Sequence, residues 1–520
     1  MRSLRNNTKR QAGGNDKGFR DQTRVQPGEG PVAERLEERV LMSAGDAMQV
    51  VGDTLYVYGT NHSDSVVVEA DSAGHLKSVR LNGVTKSVGA SDPSQALPSW
   101  YGPSVKKVAV FGYSGNDVIQ IKGPMPSTID GGSGSDSIFG GSAADEIRGG
   151  SGNDYLNGGG GPDDLFGEAD VDLLVGGYGN DYLNGGSGKD TLYGGYGDDT
   201  LVSIDNGVED VLSGQGGKDS FWVDANWTWT GTRSDAVMDA TTAEKATNLH
   251  KIRDFANGAD RTLNGDDIVD PAGQAHYRNY ADCPLFPTTG PTLDDVDQGL
   301  DGDCWLLSAL GALAQTDPNA IRQTVVSLGD GTFAVRLGGE NYYRVDADLP
   351  GQYVDFGLPG VSIWTLKYAK LGTERSLWVA IVEKAYAYYR VAPNYMYQTL
   401  EGGFSTEAFA GLNQTGIGSK DFNSYGSPSD SLEVRSRAML TDIKGRLDSG
   451  QAVCVGIMGA TLTSGLSSAH EYTVVSVNLP AGMITLRNPW GPTGSANAYV
   501  TLSGKALFGC WGEVDWCHVA

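Results

Sequence analysis

The feature that most constrains the fold of this chain is a nine-residue repeat that runs without interruption over residues 131–202. Read in frame from Gly131, eight consecutive copies have glycine at position 1 and isoleucine or leucine at position 8. Position 6 is aspartate in every copy: Asp136, Asp145, Asp154, Asp163, Asp172, Asp181, Asp190 and Asp199. Composition alone does not produce a strict nine-residue phase, so the pattern predicts stacked structural units and disfavours a flexible glycine linker.

The residue types within the repeat predict a parallel coil that depends on cations. Glycines allow turns with positive φ, and the residues after each aspartate form a short strand with one aliphatic side chain inward. Residues 131–202 carry 13 acidic side chains against two basic ones, Arg148 and Lys189. Turns stack about 4.8 Å apart, and like charges at about 5 Å repel by roughly 3 kcal/mol at an effective dielectric of about 20. Cations between the turns remove this repulsion, and hard oxygen ligands favour calcium.

The repeats resemble the RTX family, whose nonapeptide has the form Gly-Gly-x-Gly-x-Asp-x-aliphatic-x. This resemblance implies a calcium-bound parallel β-roll in which the eight position-6 aspartates hold the metal. Calcium is therefore the expected cofactor.

A second set of residues, in the C-terminal half, carries reactive groups. Cys304 stands where a polar loop runs into an apolar helix, and a helix N-terminus lowers the pKa of a thiol. His470 begins a predicted strand, and Asn488 follows another predicted strand 18 residues on. Neighbouring antiparallel strands can place His470 beside Asn488, and a cysteine on a facing helix completes a Cys–His–Asn arrangement.

Four ordered stretches around these residues resemble the calpain family of papain-like cysteine proteases; they are Gln298–Trp305, Leu377–Ala387, Glu401–Phe404 and Arg487–Gly491. The resemblance implies Cys304 as nucleophile, His470 as general base and Asn488 as the residue that orients the histidine. It also implies Gln298 as an oxyanion-hole donor and Trp490 as a cover over the His–Asn hydrogen bond. One departure is Ala469, because the family usually has glycine before this histidine.

The same resemblance implies one calcium site inside the protease domain. Its ligands would be Asp295 and Glu383, with Gly290 as a carbonyl donor. The stretch 492–499, where a second such site would need carboxylates, has none. The alternative for Glu383 is an ordinary ion pair with Lys384 or a neighbour.

The sequence predicts a multidomain chain in which a parallel β-roll is followed by an α+β papain-like, calpain-type protease domain. The boundaries are a disordered basic leader over 1–45, a β-rich segment over 46–111, the calcium β-roll over 112–222, a transitional segment over 223–285 and the catalytic domain over 286–520. For Cys510 and Cys517, core thiols or one disulfide are favoured over a zinc site, since a four-ligand set is lacking.

Charge and hydropathy limit the partners and the location. The net charge of −25 makes nucleic acid a poor partner. No run of about 18 apolar residues is present, so no membrane span is expected. The stretch Arg35–Ser43 resembles a short element near the start of many bacterial envelope and extracellular proteins. Together with the RTX resemblance it predicts a secreted or surface-associated bacterial protein, with the export route left open.

The predicted function is a calcium-dependent cysteine endopeptidase that hydrolyses protein or peptide substrates through a thioester acyl-enzyme. One alternative is a non-enzymatic calcium-dependent surface or adhesion protein with a degenerate protease domain, which the presence of Cys304, His470, Asn488 and Gln298 disfavours. A second alternative is acyl transfer by a transglutaminase-like enzyme, whose third residue is normally aspartate, so Asn488 disfavours it.

Overall fold

The computed structural model describes residues 47–519 except for 92–95, 98–100, 206, 226–234, 258, 260–262, 264–267, 269, 272–275, 288–289, 300–301, 356–361, 391–396, 460–465 and 491–497. The predicted basic leader over 1–45 lies outside the described residues. All described residues fall within one compact unit, Leu41–Ala520. Within the described part of the chain, no helix has both the length and the apolarity to cross a membrane.

The N-terminal half consists of short strands stacked in two long sheets. Its strands are β1 (Met48–Val51), β2 (Thr54–Tyr58), β3 (Ser65–Ala70), β4 (Leu76–Leu81), β5 (Val84–Val88), β6 (Ala96–Leu97), β7 (Lys107–Phe111), β8 (Val118–Lys122), β9 (Ser127–Ser133), β10 (Ser137–Phe139), β11 (Asp145–Ser151), β12 (Tyr155–Gly160), β13 (Asp164–Ala169), β14 (Leu173–Tyr178), β15 (Tyr182–Asn184), β16 (Thr191–Tyr196), β17 (Thr200–Ser203), β18 (Val211–Gly216), β19 (Ser220–Asp224), β20 (Ala236–Val237) and β21 (Leu249–Ile252). Two short helices, α1 (Tyr101–Ser104) and α2 (Thr242–Thr247), accompany them.

Sheet A has the order β1-β2-β7-β9-β11-β13-β15-β17-β19-β21, and sheet B has the order β20-β18-β16-β14-β12-β10-β8-β3-β4-β5-β6. Consecutive repeats alternate between the sheets, so each strand pairs in parallel with the strand two repeats away. Ile147 aligns with Leu165 in sheet A, and Leu156 aligns with Leu174 in sheet B. One turn of the coil therefore takes two nonapeptides.

The aliphatic residues at position 8 form the core between the two sheets. All eight are fully buried: Ile138, Ile147, Leu156, Leu165, Leu174, Leu183, Leu192 and Leu201. The same hydrophobic cluster continues to Leu55 and Val66 on one side and to Phe221 and Val223 on the other. The predicted β-roll is confirmed, and its two sheets also include most of the predicted 46–111 segment and the first part of the predicted transition.

Close stacking of the turns explains why the repeat requires glycine. Gly150 has φ +107°, and a Cβ there would lie 1.9 Å from the carbonyl oxygen of Gly132 in the preceding turn. Any other residue would combine an unfavourable backbone conformation with a backbone clash.

The C-terminal half mixes helices with antiparallel sheets. Its strands are β22 (Tyr277–Asn279), β23 (Val325–Ser327), β24 (Thr332–Leu337), β25 (Asn341–Asp346), β26 (Asp348–Asp355), β27 (Ser362–Leu366), β28 (Thr415–Asp421), β29 (Gln451–Gly459), β30 (His470–Asn478), β31 (Met483–Arg487), β32 (Tyr499–Ser503) and β33 (Trp511–His518). Its α-helices are α3 (Cys304–Thr316), α4 (Pro318–Arg322), α5 (Trp378–Arg390), α6 (Ser405–Gly411), α7 (Leu432–Asp448) and α8 (Gly504–Phe508), with 3-10 turns at Leu293–Asp295, Thr373–Arg375, Tyr397–Leu400 and Phe422–Ser424.

The largest sheet of this half has the order β28-β33-β29-β30-β31-β32, and two smaller sheets have the orders β22-β26-β27 and β23-β24-β25. Helix α3 is buried from Trp305 to Ala314 and packs on the large sheet. Its backbone lies close to β30, where Thr473 donates a side-chain hydrogen bond to the Ser308 carbonyl oxygen at 2.8 Å. This contact fixes the N-terminal end of α3 next to the beginning of β30.

Candidate active site

His470 and Asn488 meet at the edge of the large sheet. His470 is the first residue of β30, and Asn488 directly follows β31. The two strands are antiparallel, with Thr473 aligned to Arg487, so the start of one lies beside the end of the other. Nε2 of His470 is 2.9 Å from Oδ1 of Asn488. The amide oxygen can only accept, so Nε2 donates and the imidazole is held by that bond.

Trp490 covers this hydrogen bond, as the family resemblance implied. Its ring centroid is 4.3 Å from that of His470, with an angle of 39° between the planes. Its backbone N–H donates to Oδ1 of Asn488 at 3.1 Å. The other flank of the imidazole is contacted edge-on by Tyr472, at 4.9 Å between centroids. Both His470 and Asn488 are buried, which shields their hydrogen bond from water.

Cys304 lies next to the same strand. It is the first residue of α3, follows the N-cap residue Asp303 and is partly buried. The backbone of Glu471, the residue after His470, hydrogen-bonds its thiol. The structure therefore brings Cys304, His470 and Asn488 together where α3 meets β30.

The acidity of this thiol differs from the expectation based on the helix N-terminus. Burial raises the pKa of Cys304 to about 11 and outweighs the hydrogen bond from the Glu471 backbone, which lowers it. Burial also lowers the pKa of His470, against the opposing effect of the Asn488 hydrogen bond. In this conformation both groups are neutral at neutral pH, because desolvation penalises each charged form.

Gln298 lies on a segment tied to the Asn488 turn. Its backbone N–H donates to the Pro489 carbonyl oxygen at 2.7 Å, and it forms an isolated antiparallel bridge with Ala369. Gly299 follows it, and a Cβ there would lie 1.7 Å from the Tyr368 carbonyl oxygen. Glycine at position 299 therefore allows the segment that carries Gln298 to pack closely against the backbone at Tyr368 and Ala369.

Two further motif positions have a structural explanation. A Cβ at Gly403 would lie 2.6 Å from the ring of Trp305, so the Gly-Gly turn packs directly on the residue after the cysteine. Ala469 has φ +51°, in the left-handed region. Glycine adopts that conformation without strain, which accounts for the family's usual glycine before the histidine.

Sequence reasoning missed Glu471, a buried carboxyl in the same place. The Ser405 backbone N–H donates to its Oε1 at 3.3 Å, and the Ser405 hydroxyl donates to its Oε2. Burial, with Asp515 nearby, raises its pKa well above the usual range. This contact joins the start of α6 to β30. No sequence signal indicated it, because its partners are distant in the chain.

Asp295 and Glu383 are both buried, and the carboxylate of Asp295 accepts several hydrogen bonds from the protein. It accepts from the backbone N–H groups of Thr292 at 2.7 Å and Thr373 at 3.0 Å, and from Nε1 of Trp378 at 3.0 Å. Oε2 of Glu383 accepts from a backbone N–H, whereas its buried Oε1 has no hydrogen-bond partner among the residues that the structure describes. A calcium role for this pair stays a prediction.

The alternative partner for Glu383 is otherwise engaged, since Lys384 forms ion pairs with Asp270 and Asp346. Among the described residues, no group of three or more His, Cys, Asp or Glu side chains is arranged to hold a metal. All five cysteines are free thiols, including Cys510 and Cys517.

The repeat aspartates form two ladders along the roll. In each, Oδ1 accepts the backbone N–H of the aspartate one turn earlier, as from Asp136 to Asp154 at 2.7 Å and from Asp145 to Asp163 at 2.9 Å. The first ladder runs through Asp136, Asp154, Asp172, Asp190, Asp210 and Asp235. The second runs through Asp145, Asp163, Asp181, Asp199, Asp219 and Glu244.

In the part of the chain that the structure describes, the second carboxylate oxygen of most of these residues is buried without a hydrogen-bond partner. This holds for Oδ2 of Asp136, Asp154, Asp163, Asp172, Asp181, Asp190 and Asp199, whereas that of Asp145 accepts from Gly141. A Cβ at Gly176 would lie 2.4 Å from Oδ2 of Asp181 and 2.5 Å from the Gly194 carbonyl oxygen, so the two oxygens converge. Unpaired carboxylate oxygens next to backbone carbonyls are the donor set that calcium takes, so the residues fit the ion.

Desolvation raises the pKa values of these carboxylates. Burial raises the pKa of Asp154 to about 7, of Asp172 to about 8 and of Asp163 to about 9. Neighbouring aspartates of the same ladder add to each shift. A cation at these oxygens would remove both penalties.

Comparison with known proteins finds a similar family for each half of the chain, and both agree with the families that the sequence motifs resemble. Residues 277–501 match the model of the calpain family of cysteine proteases, and residues 130–165 and 166–201 match that of the RTX calcium-binding nonapeptide repeat. The calpain-1 catalytic subunit of Homo sapiens is 27% identical over 249 residues, which cover 45% of this chain and 31% of that protein. The calpain-type cysteine protease DEK1 of Zea mays is 28% identical over 206 residues, which cover 38% of this chain and 9% of that protein.

The chain thus spans about a third or less of the length of these curated relatives. The family match begins at Tyr277, which is the start of β22, ahead of the predicted boundary at 286. The predicted fold class, a multidomain chain with a β-roll before a calpain-type domain, is confirmed. The chain is therefore similar to the calpain family of cysteine proteases over residues 277–501, and to the RTX calcium-binding nonapeptide repeat ahead of them.

Proposed function

We propose that the protein is a cysteine endopeptidase that cleaves protein or peptide substrates and depends on calcium. The observation that carries the proposal is the buried 2.9 Å hydrogen bond between His470 and Asn488 beside Cys304 at the N-terminus of α3. This is the geometry that nucleophilic catalysis by a thiol needs: a nucleophile, a base and a group that orients the base.

In the proposed reaction, Nδ1 of His470 takes the proton from Sγ of Cys304 as the thiolate attacks the scissile carbonyl carbon. The oxyanion is stabilised by the Cys304 backbone N–H and the Gln298 side chain. The imidazolium then gives its proton to the leaving amine, and the C–N bond breaks to leave a thioester. His470 next deprotonates a water molecule that attacks the thioester, which releases the acid and restores the thiol.

The raised pKa of the Cys304 thiol determines when His470 accepts the thiol proton. A thiol with a pKa of about 11 is protonated at neutral pH, so attack requires His470 to take its proton as the substrate reacts. Asn488 holds the ring in the tautomer whose Nδ1 can accept, and Trp490 keeps water from the Asn488 bond.

The calcium dependence is proposed to arise first from the roll. When bound, calcium would neutralise the carboxylates of the eight position-6 aspartates and so favour the folded coil. A second contribution from Asp295 and Glu383 belongs to the same proposal. Extracellular calcium modules work at roughly 10⁻⁴–10⁻³ M, which fits a bacterial protein that is secreted or held at the cell surface.

Hydrolysis of a mixed peptide library, with and without calcium, tests the assignment. We expect cleavage by the purified chain, complete loss in Cys304→Ala and retention in Cys283→Ala, whose free thiol is buried in the hydrophobic core of the protease domain. Labelling by a peptide epoxide should be lost in Cys304→Ala and retained in Cys283→Ala. Cleavage by Cys304→Ala would refute the proposed nucleophile.

The same experiment separates the two alternatives. A chain that neither cleaves nor labels, but binds calcium, would be the non-enzymatic surface protein. Incorporation of an added amine without peptide cleavage would indicate transglutaminase-like acyl transfer.

A further inference from the structure

One face of the roll is apolar on its outside as well as its inside. Along β13, β15, β17, β19 and β21 of sheet A, most side chains that point away from the roll core are buried, whereas Asp164 at the start of β13 is exposed. They belong to a cluster that also contains protease-domain residues; its members include Phe166, Tyr182, Val202, Ile204, Trp222 and Ile252 from the roll and Val326, Leu328, Ala334 and Tyr342 from the protease domain. By contrast, Tyr178 and Tyr196 on sheet B are 67% and 66% exposed.

Aromatic contacts define the centre of this interface. Trp222 is fully buried, and its ring lies 4.5 Å from that of His250 and 5.8 Å from that of Tyr342, measured between centroids. Trp222 and His250 come from neighbouring strands of the roll, and Tyr342 comes from β25 of the protease domain. A buried tryptophan of this kind contributes a large apolar contact area.

Directional hydrogen bonds fix the register of the two parts. Oε1 of Gln323 accepts from the Ser220 hydroxyl at 2.9 Å and from Nε2 of His250 at 2.6 Å. The Ser327 carbonyl oxygen accepts from the Tyr182 hydroxyl at 2.6 Å and from Nδ2 of Asn184 at 2.9 Å. All four donors belong to the roll, and both acceptors belong to the protease domain.

Three of the interface strands, β13, β15 and β17, directly follow position-6 aspartates of the repeat. Tyr182 comes directly after Asp181, and the fully buried Leu183 after it belongs to the roll core. Arg322, at the end of α4, contributes a positive charge that acts on Asp181 and Asp164 from the protease side. The folded conformation of the roll, in which cations would neutralise the aspartate charges, therefore also fixes the positions of the side chains that contact the protease domain.

On the protease side, the sheet β23-β24-β25 lies between the roll and the main protease core. Its Val326 and Ala334 face the roll, whereas Val325 and Val335 belong to the core that includes helix α3. The sheet is thus a single layer shared by two hydrophobic cores. If the roll unfolds, one face of this layer loses its cover.

We infer that the outer face of sheet A is a docking surface for the chain's own protease domain, and that calcium binding by the roll stabilises the protease domain through it. A ligand that binds only the folded roll also stabilises whatever folds together with the roll. The inference rests on the proposed calcium binding by the roll and is independent of the proposed peptidase activity.

Hydrogen exchange on the full chain tests this linkage. The Cys304→Ala variant serves as the parent, so that the result does not depend on cleavage. We expect calcium to slow exchange by at least tenfold both in roll peptides and in peptides from Thr332–Asp346, with one common calcium midpoint. Gln323→Ala removes the acceptor for two roll donors and should reduce the protease response at least threefold, while the roll response remains.

Two control variants test whether calcium could act on the protease domain other than through the docking surface on sheet A. Tyr178→Ala alters the exposed face of sheet B and should leave both responses unchanged. Glu383→Gln removes a carboxylate of the predicted core site, and the response of Thr332–Asp346 should persist. The inference is overturned if that segment exchanges equally with and without calcium, if Glu383→Gln abolishes its response, or if Gln323→Ala leaves it intact. Absence of a calcium response in the roll would overturn both this inference and the proposed calcium binding.

Discussion

Cys304 lies at the start of a helix, where the helix dipole favours a thiolate, yet its partial burial has the larger effect on its pKa. The residue types and their order predicted Cys304, His470 and Asn488 as neighbours, and the resemblance to the calpain family added Trp490. The thiol pKa could not be predicted, because desolvation depends on what packs around the sulfur. Glu471 escaped prediction for the same reason, since Ser405 and Asp515 approach it only in the folded chain.

We predict that Asn488→Ala lowers kcat/KM by roughly 10²-fold without abolishing cleavage, because Asn488 orients His470 and does not react. Steady-state kinetics on one peptide substrate measures this. Asn423→Ala, at an exposed position, is the matched control and should be neutral. A loss as complete as that of Cys304→Ala would indicate that Asn488 is required for folding, which thermal unfolding would reveal.

The acid limb of the pH profile should report His470. Burial lowers the pKa of His470 below its usual 6.5, and only the neutral imidazole can accept the thiol proton. We therefore expect kcat/KM to rise with pH through a midpoint below 6.5. In Asn488→Ala the midpoint should move lower still, because the hydrogen bond that His470 donates to Asn488 raises the pKa of His470. A midpoint above 6.5 in the parent would contradict the neutral resting pair.

At the scale of the elements, the nine-residue phase was sufficient to predict the β-roll and its core side chains. The docking face on sheet A could not be predicted, because the outward positions of the repeat vary from copy to copy. Only the assembled sheet aligns Phe166, Tyr182 and Trp222 on one surface.

We predict that Gly150→Ala destabilises the calcium-loaded roll, by at least about 1–3 kcal/mol from backbone strain alone. The new Cβ would meet the Gly132 carbonyl oxygen at 1.9 Å, which adds a clash that only movement of the turns relieves. Urea unfolding followed by circular dichroism measures the change. Gly445→Ala is the matched control: a Cβ on this exposed helical glycine contacts nothing within 4 Å, so the substitution should stabilise helix α7 by up to about 1 kcal/mol.

At the scale of the whole molecule, the buried acidic ladders link stability to pH, and the proposed calcium binding would link it to calcium as well. Burial raises the pKa values of Asp163, Asp172 and Asp199 to between about 8 and 9. The folded roll without calcium therefore holds protons that the unfolded chain releases at pH values above about 4. By linkage, the stability of the calcium-free roll falls as pH rises from about 4 towards 9.

We predict that, in chelator, the urea midpoint of the Cys304→Ala chain rises when the pH is lowered from 8 to 6. With saturating calcium the opposite trend is expected, because protons then compete with the ion for the same oxygens. Circular dichroism across both titrations measures this, with magnesium in place of calcium as the control. A calcium-free midpoint that is independent of pH would contradict the protonation of the buried ladders.

The two aspartate ladders give the roll a form of redundancy. Each backbone N–H is donated along its own ladder, as from Asp154 to Asp172 and from Asp163 to Asp181. The ladders end on different acceptors, Asp235 and Glu244, the second of which also belongs to the capping box of α2. Loss of one aspartate would therefore interrupt the hydrogen bonds of a single ladder. The other ladder would still connect successive turns of the roll.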